Sequence, residues 1–458
     1  MVHHHHRIPA GHNTIRRVRL LCVSIEASGD RLLAETLVKL QSLGTAQPVT
    51  DSTDANDRQL PRINFDFIGI GGAKSQRQGL ESRLDPSSLA AHGFTEALRV
   101  LPATLRAWRL LKRLAQDVDA YLLVDAPELN MRLLRWVKTH RDAKIRRRPV
   151  FYIAPPQAWA WRPHRAQTLQ LADQVYCLFP FATDWYRARG VPANYVGHPL
   201  RSISPTVTEL PKGLARSYQE TEIKTSSSTI TLALFPGSRT SSLNRALPLM
   251  LQSCMVMLEQ RESSSNLALN IYIAETSWIP LERYNYYYDH LRYLLNKRGW
   301  IQSSPGQWRS TSGGRLAWEG RSAAESPTPK SSPHPALHGA DLALCYAGTS
   351  TLESALSGVP PITISPLSRL STFITRHHVS ISHCALPNLI LGREGFPELP
   401  PWKSDVREVS QILSMTIDRY QIERGHHQGD LASALQEVQL KLIHFQGQKL
   451  AELMLREI

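Results

Sequence analysis

Ala120-Tyr121-Leu122-Leu123-Val124-Asp125-Ala126-Pro127 places five apolar residues in a row and stops them at an acidic residue and a proline. A strand buried on both faces reads as a continuous apolar run, whereas a half-exposed strand alternates. Four more runs in the first 200 residues have the same form: Arg19–Ile25 (RLLCVSI), Phe65–Gly72 (FDFIGIGG), Val150–Pro156 (VFYIAPP) and Gln174–Pro180 (QVYCLFP). Helical stretches separate them, which is the rhythm of a parallel sheet with crossover helices. The pattern restarts with TITLALFPGSR at 229–239, LNIYIAE at 269–275, DLALCYAGTS at 341–350 and PPITISP at 360–366. The predicted class is α/β, with two Rossmann-like halves facing a cleft.

The expected divisions are a disordered tail over 1–17, a first domain over 18–203, a Ser/Thr/Pro-rich linker over 204–229, a second domain over 230–405 and C-terminal helices over 406–458. Residues 302–338, dominated by Ser, Pro and Gly, read as a low-complexity surface insertion. A chain of 458 residues exceeds the roughly 250–300 that one core serves, so two domains are the default. No apolar run approaches the ~20 residues of a membrane-spanning helix, and Leu20–Ile25 runs straight into Glu26 without a cleavage pattern. A cytoplasmic protein is expected. Five scattered cysteines in no C-x-x-C spacing argue against a disulfide framework or a zinc site, and His3–His6 resemble a tag-like tail, so no metal is assigned. The formal charge of +14 would draw nucleic acid, anionic lipid or phosphorylated substrates. No nucleic-acid-binding motif accompanies it, so no nucleic-acid partner is expected.

Ligands of open parallel sheets collect beyond the carboxyl ends of the strands, and five such ends carry unusual residues. Glu26-Ala27-Ser28-Gly29-Asp30 could offer backbone N–H groups to a ligand, and Ser28 or Asp30 fits an ordinary helix N-cap as well. Asp125, in VDAPELN with Asn130, is placed for a general base or for a cap. Gln157, Trp159, Trp161, Arg162 and Arg165 could wall a sugar and face a phosphate, or be a core tryptophan pair with surface arginines. Gly237, Ser238 and Arg239 could approach a ligand and stabilise a departing pyrophosphate. Gly348, Thr349, Ser350 and Glu353 suit a diphosphate and ribose hydroxyls, or a capping arrangement.

In order, EASGD (26–30), GIGG (69–72), VDAPELN (124–130), PPQAWAWRPHR (155–165), VGHPL (196–200), FPGSR (235–239), GTSTLE (348–353) and LPNLILGRE (386–394) resemble the lipid A disaccharide synthase family over nearly the whole chain. The resemblance implies a GT-B fold and an inverting UDP-sugar glycosyltransferase that works without a bound metal or other cofactor. It implies transfer of 2,3-diacylglucosamine from UDP to 2,3-diacylglucosamine 1-phosphate in lipid A biosynthesis. Asp125 is then the base for the acceptor hydroxyl and Arg239 faces the diphosphate. Gly237, Ser238, Gly348, Thr349, Ser350, Glu353 and Asn388 fall to the donor. Ser28, Gly29, Asp30, Asn130, Gln157, Trp159, Trp161 and Arg162 fall to the acceptor. The stretch 94–114 interleaves Phe94, Leu98, Leu101, Leu105, Trp108 and Leu111 with basic residues, which suits a peripheral contact with the anionic inner-membrane face or a core helix with a solvated face. A homodimer through the C-terminal segment is also implied. The sequence departs from the family pattern at Ile25, Ala34 and Ser242. A non-catalytic lipid-binding relative and another UDP-sugar GT-B enzyme are the alternatives.

Overall fold

The computed structural model describes residues 16–45, 62–89, 94–203, 229–238, 240–261, 267–275, 281–304, 306–310, 315–322, 334–368, 372–373, 375–376, 382–424 and 429–458. The chain divides into two units, residues 1–197 with 445–458, and residues 198–444.

The first unit runs β1 (Arg16–Val23), α1 (Ala27–Thr45), β2 (Ile63–Ile70), α2 (Ala73–Gln76), β3 (Leu80–Ser82), α3 (Phe94–Leu114), β4 (Ala120–Val124), α4 (Pro127–Lys138), α5 (Ala143–Arg146), β5 (Val150–Ile153), α6 (Arg165–Leu169), β6 (Gln174–Cys177), α7 (Pro180–Arg187) and β7 (Ala193–Tyr195). Its sheet has the order β3-β2-β1-β4-β5-β6-β7, every pair parallel. Successive residues of each central strand serve opposite faces. Leu21, Val23, Tyr121, Leu123 and Tyr152 pack with α3 and α4, while Leu20, Cys22, Leu122, Val124, Phe151 and Ile153 pack with Leu33, Leu37 and Leu40 of α1. Both faces are covered, which is why these strands carry no polar alternation.

The second unit contains α8 (Pro199–Ile203), β8 (Thr229–Phe235), α9 (Thr240–Arg261), β9 (Ala268–Glu275), α10 (Leu281–Lys297), β10 (Ile301–Ser304), β11 (Gln307–Arg309), β12 (Arg315–Ser322), β13 (Leu342–Tyr346), α11 (Thr349–Leu356), β14 (Pro361–Ile364), α12 (Leu386–Leu391), β15 (Glu398–Leu399), α13 (Val406–Arg424) and α14 (Asp430–Lys441). Its sheet order is β10-β11-β12-β9-β8-β13-β14-β15, parallel except where β11 pairs antiparallel with β10 and β12. α15 (Gly447–Glu457) returns to the first unit, where Leu450, Ala451 and Met454 join the cluster around α1.

Two expectations need correction. Residues 302–338 are not a plain insertion: β12 pairs with β9 along eight residues, and Trp308 of β11 is fully buried. Buried Trp308 and Leu316 outweigh the Ser/Gly/Pro composition around them; residues 323–333 lie outside the described set. The helices after 405 are not one segment either, because α13 and α14 belong to the second unit and α15 to the first. The expected tail 1–17, including His3–His6, and linker 204–229 fall mostly outside the described residues. Among the described residues no helix is long and apolar enough to cross a membrane.

Candidate functional site

In the first unit the carboxyl ends of β1 and β4 meet. A Cβ built on Gly29, at the start of α1, would lie 3.5 Å from the Asp125 Cβ and 2.6 Å from Ser24 Oγ, so this close approach requires glycine. The EASGD and VDAPELN turns are therefore one structure. Ser28 is exposed there and Asp125 half-buried. Asp125 (φ 51°) and Ala126 (φ 46°, ψ 54°) are consecutive non-glycine residues in the left-handed region. Such a conformation costs about 1–2 kcal/mol per residue and persists only where its surroundings over-determine it. Here the Asp125 carbonyl accepts from Asn130 Nδ2 and from the Tyr152 hydroxyl, each at 2.8 Å, while its N–H donates to the Ile153 carbonyl at 3.0 Å.

The neighbouring strand end carries the tryptophans. Trp159 packs edge-on against Phe181, 4.9 Å between centroids, at the margin of the core cluster, and the Arg162 guanidinium lies 5.4 Å from the Trp161 ring. Glu128, in the first turn of α4, pairs with Arg165 and lies 3.8 Å from Arg162, while Gln157 is exposed. Below them the Tyr186 hydroxyl donates to the Pro156 carbonyl.

Two residues expected at the acceptor face inward. Asp30 is buried, and its carboxylate accepts from the N–H groups of Gly72 (2.8 Å), Lys74 (3.0 Å) and Ser75 (3.3 Å) and from the Ser75 hydroxyl. It caps α2 and holds the GIGG turn. Asn130 is fully buried, and its amide reaches the carbonyls of Asp125, Val124 and Val23. Asn130 builds the turn that presents Asp125, whereas Asp30 builds the neighbouring GIGG turn.

In the second unit β8 and β13 end side by side. Gly237 (φ 93°) makes the turn after β8, and a Cβ there would lie 2.5 Å from Ser242 Oγ and 3.5 Å from Tyr346 at the end of β13. Ser242, where the family pattern has an acidic residue, thus sits directly under the glycine turn. Gly348 and Thr349 open α11 exposed to solvent, with no side chain among the described residues capping the first turn, so that helix end is suited to an anion. The Ser350 hydroxyl turns back to the Tyr346 carbonyl at 3.3 Å. Glu353 is half-buried and accepts from the His334 N–H at 2.9 Å. Ser238 is exposed; Arg239 lies outside the described residues.

Asn388 does not open to solvent. It is fully buried in α12, where Nδ2 donates to the Phe396 carbonyl (2.8 Å) and Oδ1 accepts from the N–H groups of Gly395 (2.9 Å) and Phe396 (3.0 Å). The carboxylate of Glu398 braces the other end of α12, accepting from the N–H groups of Cys384 (3.1 Å) and Ala385 (2.8 Å) and pairing with His383 (2.8 Å). The Cys384 thiol is pushed up to about 12 by burial and, next, by the Glu398 charge.

The sequence pattern of the family described as Lipid-A-disaccharide synthetase matches residues 21–279 and 321–447. The chain belongs to this family. The lipid-A-disaccharide synthetase pattern passes over 280–320, which holds α10, β10, β11 and most of β12. Curated relatives named lipid-A-disaccharide synthase include those of Chromobacterium violaceum, 28% identical over 83% of both chains, and Azotobacter vinelandii, 30% identical over 83% of this chain and 85% of the relative. That of Anaeromyxobacter dehalogenans strain 2CP-1 is 29% identical over 93% of both. Members of the lipid-A-disaccharide synthetase family are glycosyltransferases of lipid A biosynthesis, and the enzyme class and pathway expected from the motifs stand on that match. Tyr152, the Glu128–Arg165 pair and the Glu398 brace escaped sequence reasoning: a tyrosine or glutamate inside a strand run carries no spacing signal of its own, and Glu128 meets Arg165 across 37 residues of chain.

Proposed function

We propose that this chain transfers 2,3-diacylglucosamine from UDP to the 6-hydroxyl of 2,3-diacylglucosamine 1-phosphate, releasing UDP and leaving a β-1,6-linked disaccharide 1-phosphate. The observation that carries this reading is the pair of left-handed residues, Asp125 and Ala126, which holds a carboxylate at the mouth of the first sheet beside the start of α1. Backbone strain held in place by two hydrogen bonds at a strand end is a mark of a functional turn. The Asp125 carboxylate takes the proton as the acceptor oxygen attacks the anomeric carbon. The bond to the diphosphate breaks in the same displacement, so the configuration inverts. Charge growing on UDP is met by the open end of α11 and by Arg239. Gly237 and Ser238 border that position, and Glu353 reaches for the ribose. Ser28, Gln157, Trp161 and Arg162 serve the acceptor sugar and phosphate.

The acylated substrates reside in a membrane, and α3 suits its surface as a peripheral contact. Arg106, Arg109 and Arg113 are exposed beside Leu105, which is 46% exposed, while Ala107 and Leu111 anchor the helix in the core. The side chains of Phe94, Leu98 and Leu101 are outside the described set. α15 docks on α1 within its own chain, and exchange of this helix between two copies would repeat the same contacts in a homodimer.

The test is formation of disaccharide and UDP from the two diacylglucosamine substrates. Turnover by the parent that falls at least 100-fold in both Asp125→Ala and Arg239→Ala supports the assignment. A parent that binds UDP but makes no disaccharide overturns it in favour of a non-catalytic lipid-binding relative.

A further inference from the structure

Tyr152 belongs to the core by position and to the turn by chemistry. It lies on β5, paired with Leu123 of β4, and is fully buried among the residues that pack α3 and α4. A phenylalanine would fill the same volume. The hydroxyl is nonetheless aimed at the Asp125 carbonyl at 2.8 Å, alongside the Asn130 amide at 2.8 Å. That carbonyl heads the peptide joining the two left-handed residues, so whatever fixes its direction fixes the backbone from which the Asp125 side chain leaves. Burial, and next the Asp125 charge, hold the phenol well above its usual range, which keeps the hydroxyl a donor at neutral pH. Asn130 alone does not suffice for this reading, because its single NH₂ is shared among three carbonyls at 2.8, 3.2 and 3.4 Å.

We propose that Tyr152 is a positioning residue whose hydroxyl, with Asn130, locks the Asp125–Ala126 peptide left-handed and so aims the Asp125 carboxylate at the acceptor hydroxyl. This rests on the reading of Asp125 as the base. Tyr152→Phe is expected to lower kcat about tenfold, the size of one buried hydrogen bond, with KM for both substrates within about twofold. Adding Ala126→Gly should restore kcat to within about threefold of the parent, since glycine adopts a positive φ without the Cβ penalty. An unchanged kcat in Tyr152→Phe, a loss carried by KM, or a kcat loss that Ala126→Gly leaves in place each overturns the proposal. Asp125→Asn measured alongside separates the two readings. Retained turnover in Asp125→Asn removes the base itself, whereas abolished turnover there beside full turnover in Tyr152→Phe removes only the positioning role.

Discussion

Asn388→Ala should unfold the second unit more readily instead of emptying a ligand contact. The side chain is fully buried and makes three hydrogen bonds to the backbone of Gly395 and Phe396. Each is worth about 1 kcal/mol net, and truncation leaves two N–H groups and one carbonyl buried with no partner, so the expected cost is about 3–5 kcal/mol. For a unit of this size about 1 kcal/mol moves the midpoint by roughly 2–4 °C, which places the shift between about 6 and 20 °C. Thermal unfolding followed by circular dichroism measures it, with UDP affinity by calorimetry well below the transition as the control. Asn388→Asp should cost at least as much, because it sets a carboxylate oxygen against the Phe396 carbonyl and buries a charge there. A variant that melts within about 2 °C of the parent while its UDP affinity drops tenfold would show that Asn388 contacts the nucleotide and that its bonds to the loop are incidental.

Burial pushes the thiols of Cys177, Cys254 and Cys384 up to about 12, and those of Cys22 and Cys345 upward as well. Unfolded thiols ionise near 9, so the stability these groups confer is intact below that pH and is lost as pH rises from there through about 12, by up to about 1.4 kcal/mol per pH unit per thiol. Melting under reductant from pH 7 to 11 should be flat and then steep, and a curve still flat at pH 11 contradicts the burial. Gly237→Ala should cost about 2 kcal/mol, from the positive φ and from a Cβ 2.9 Å from that of Ser242, and Ser242→Gly should recover part of it in denaturant titrations. If the Ser242 change recovers nothing, the crowding argument fails. Replacing Arg106, Arg109 and Arg113 with Gln should weaken binding to anionic vesicles roughly 100-fold at low salt, at about 1 kcal/mol per basic residue. Equal binding by parent and variant in sedimentation would take the membrane contact away from α3.

The central strands were legible because burial on both faces writes itself as an unbroken apolar run: β4 is the AYLLV that opens AYLLVDAP, and β5 is the VFYI that opens VFYIAPP. The edges were not. β7 and β15 are three and two residues long, too short to register as a pattern, and β10 to β12 hide in a Ser/Gly-rich stretch whose strand character rests on a few buried side chains such as Trp308. Motif order located both strand-end turns, yet it could not say which polar residues look outward. Asp30 finds its partners at Gly72 to Ser75 and Asn130 one of its own at Val23, and a spacing argument has no access to partners so far away in the chain. For the same reason Ser28, Gly348 and Thr349, whose exposure follows from their place at a helix start just beyond a strand end, were easier to read than Asn388.

The return of α15 to the first unit has a consequence for biosynthesis. The second unit is encoded between the first sheet and the last piece of its cover, so at roughly 5–20 residues per second a nascent chain spends on the order of ten to fifty seconds with the first unit incomplete. During that interval the surface of α1 that will meet Leu450, Ala451 and Met454 stays bare, and a chaperone or a neighbouring chain's helix has its opportunity there. The second unit faces no such wait, being continuous from His198 to His444. Assembly of this protein therefore finishes at the end that began it.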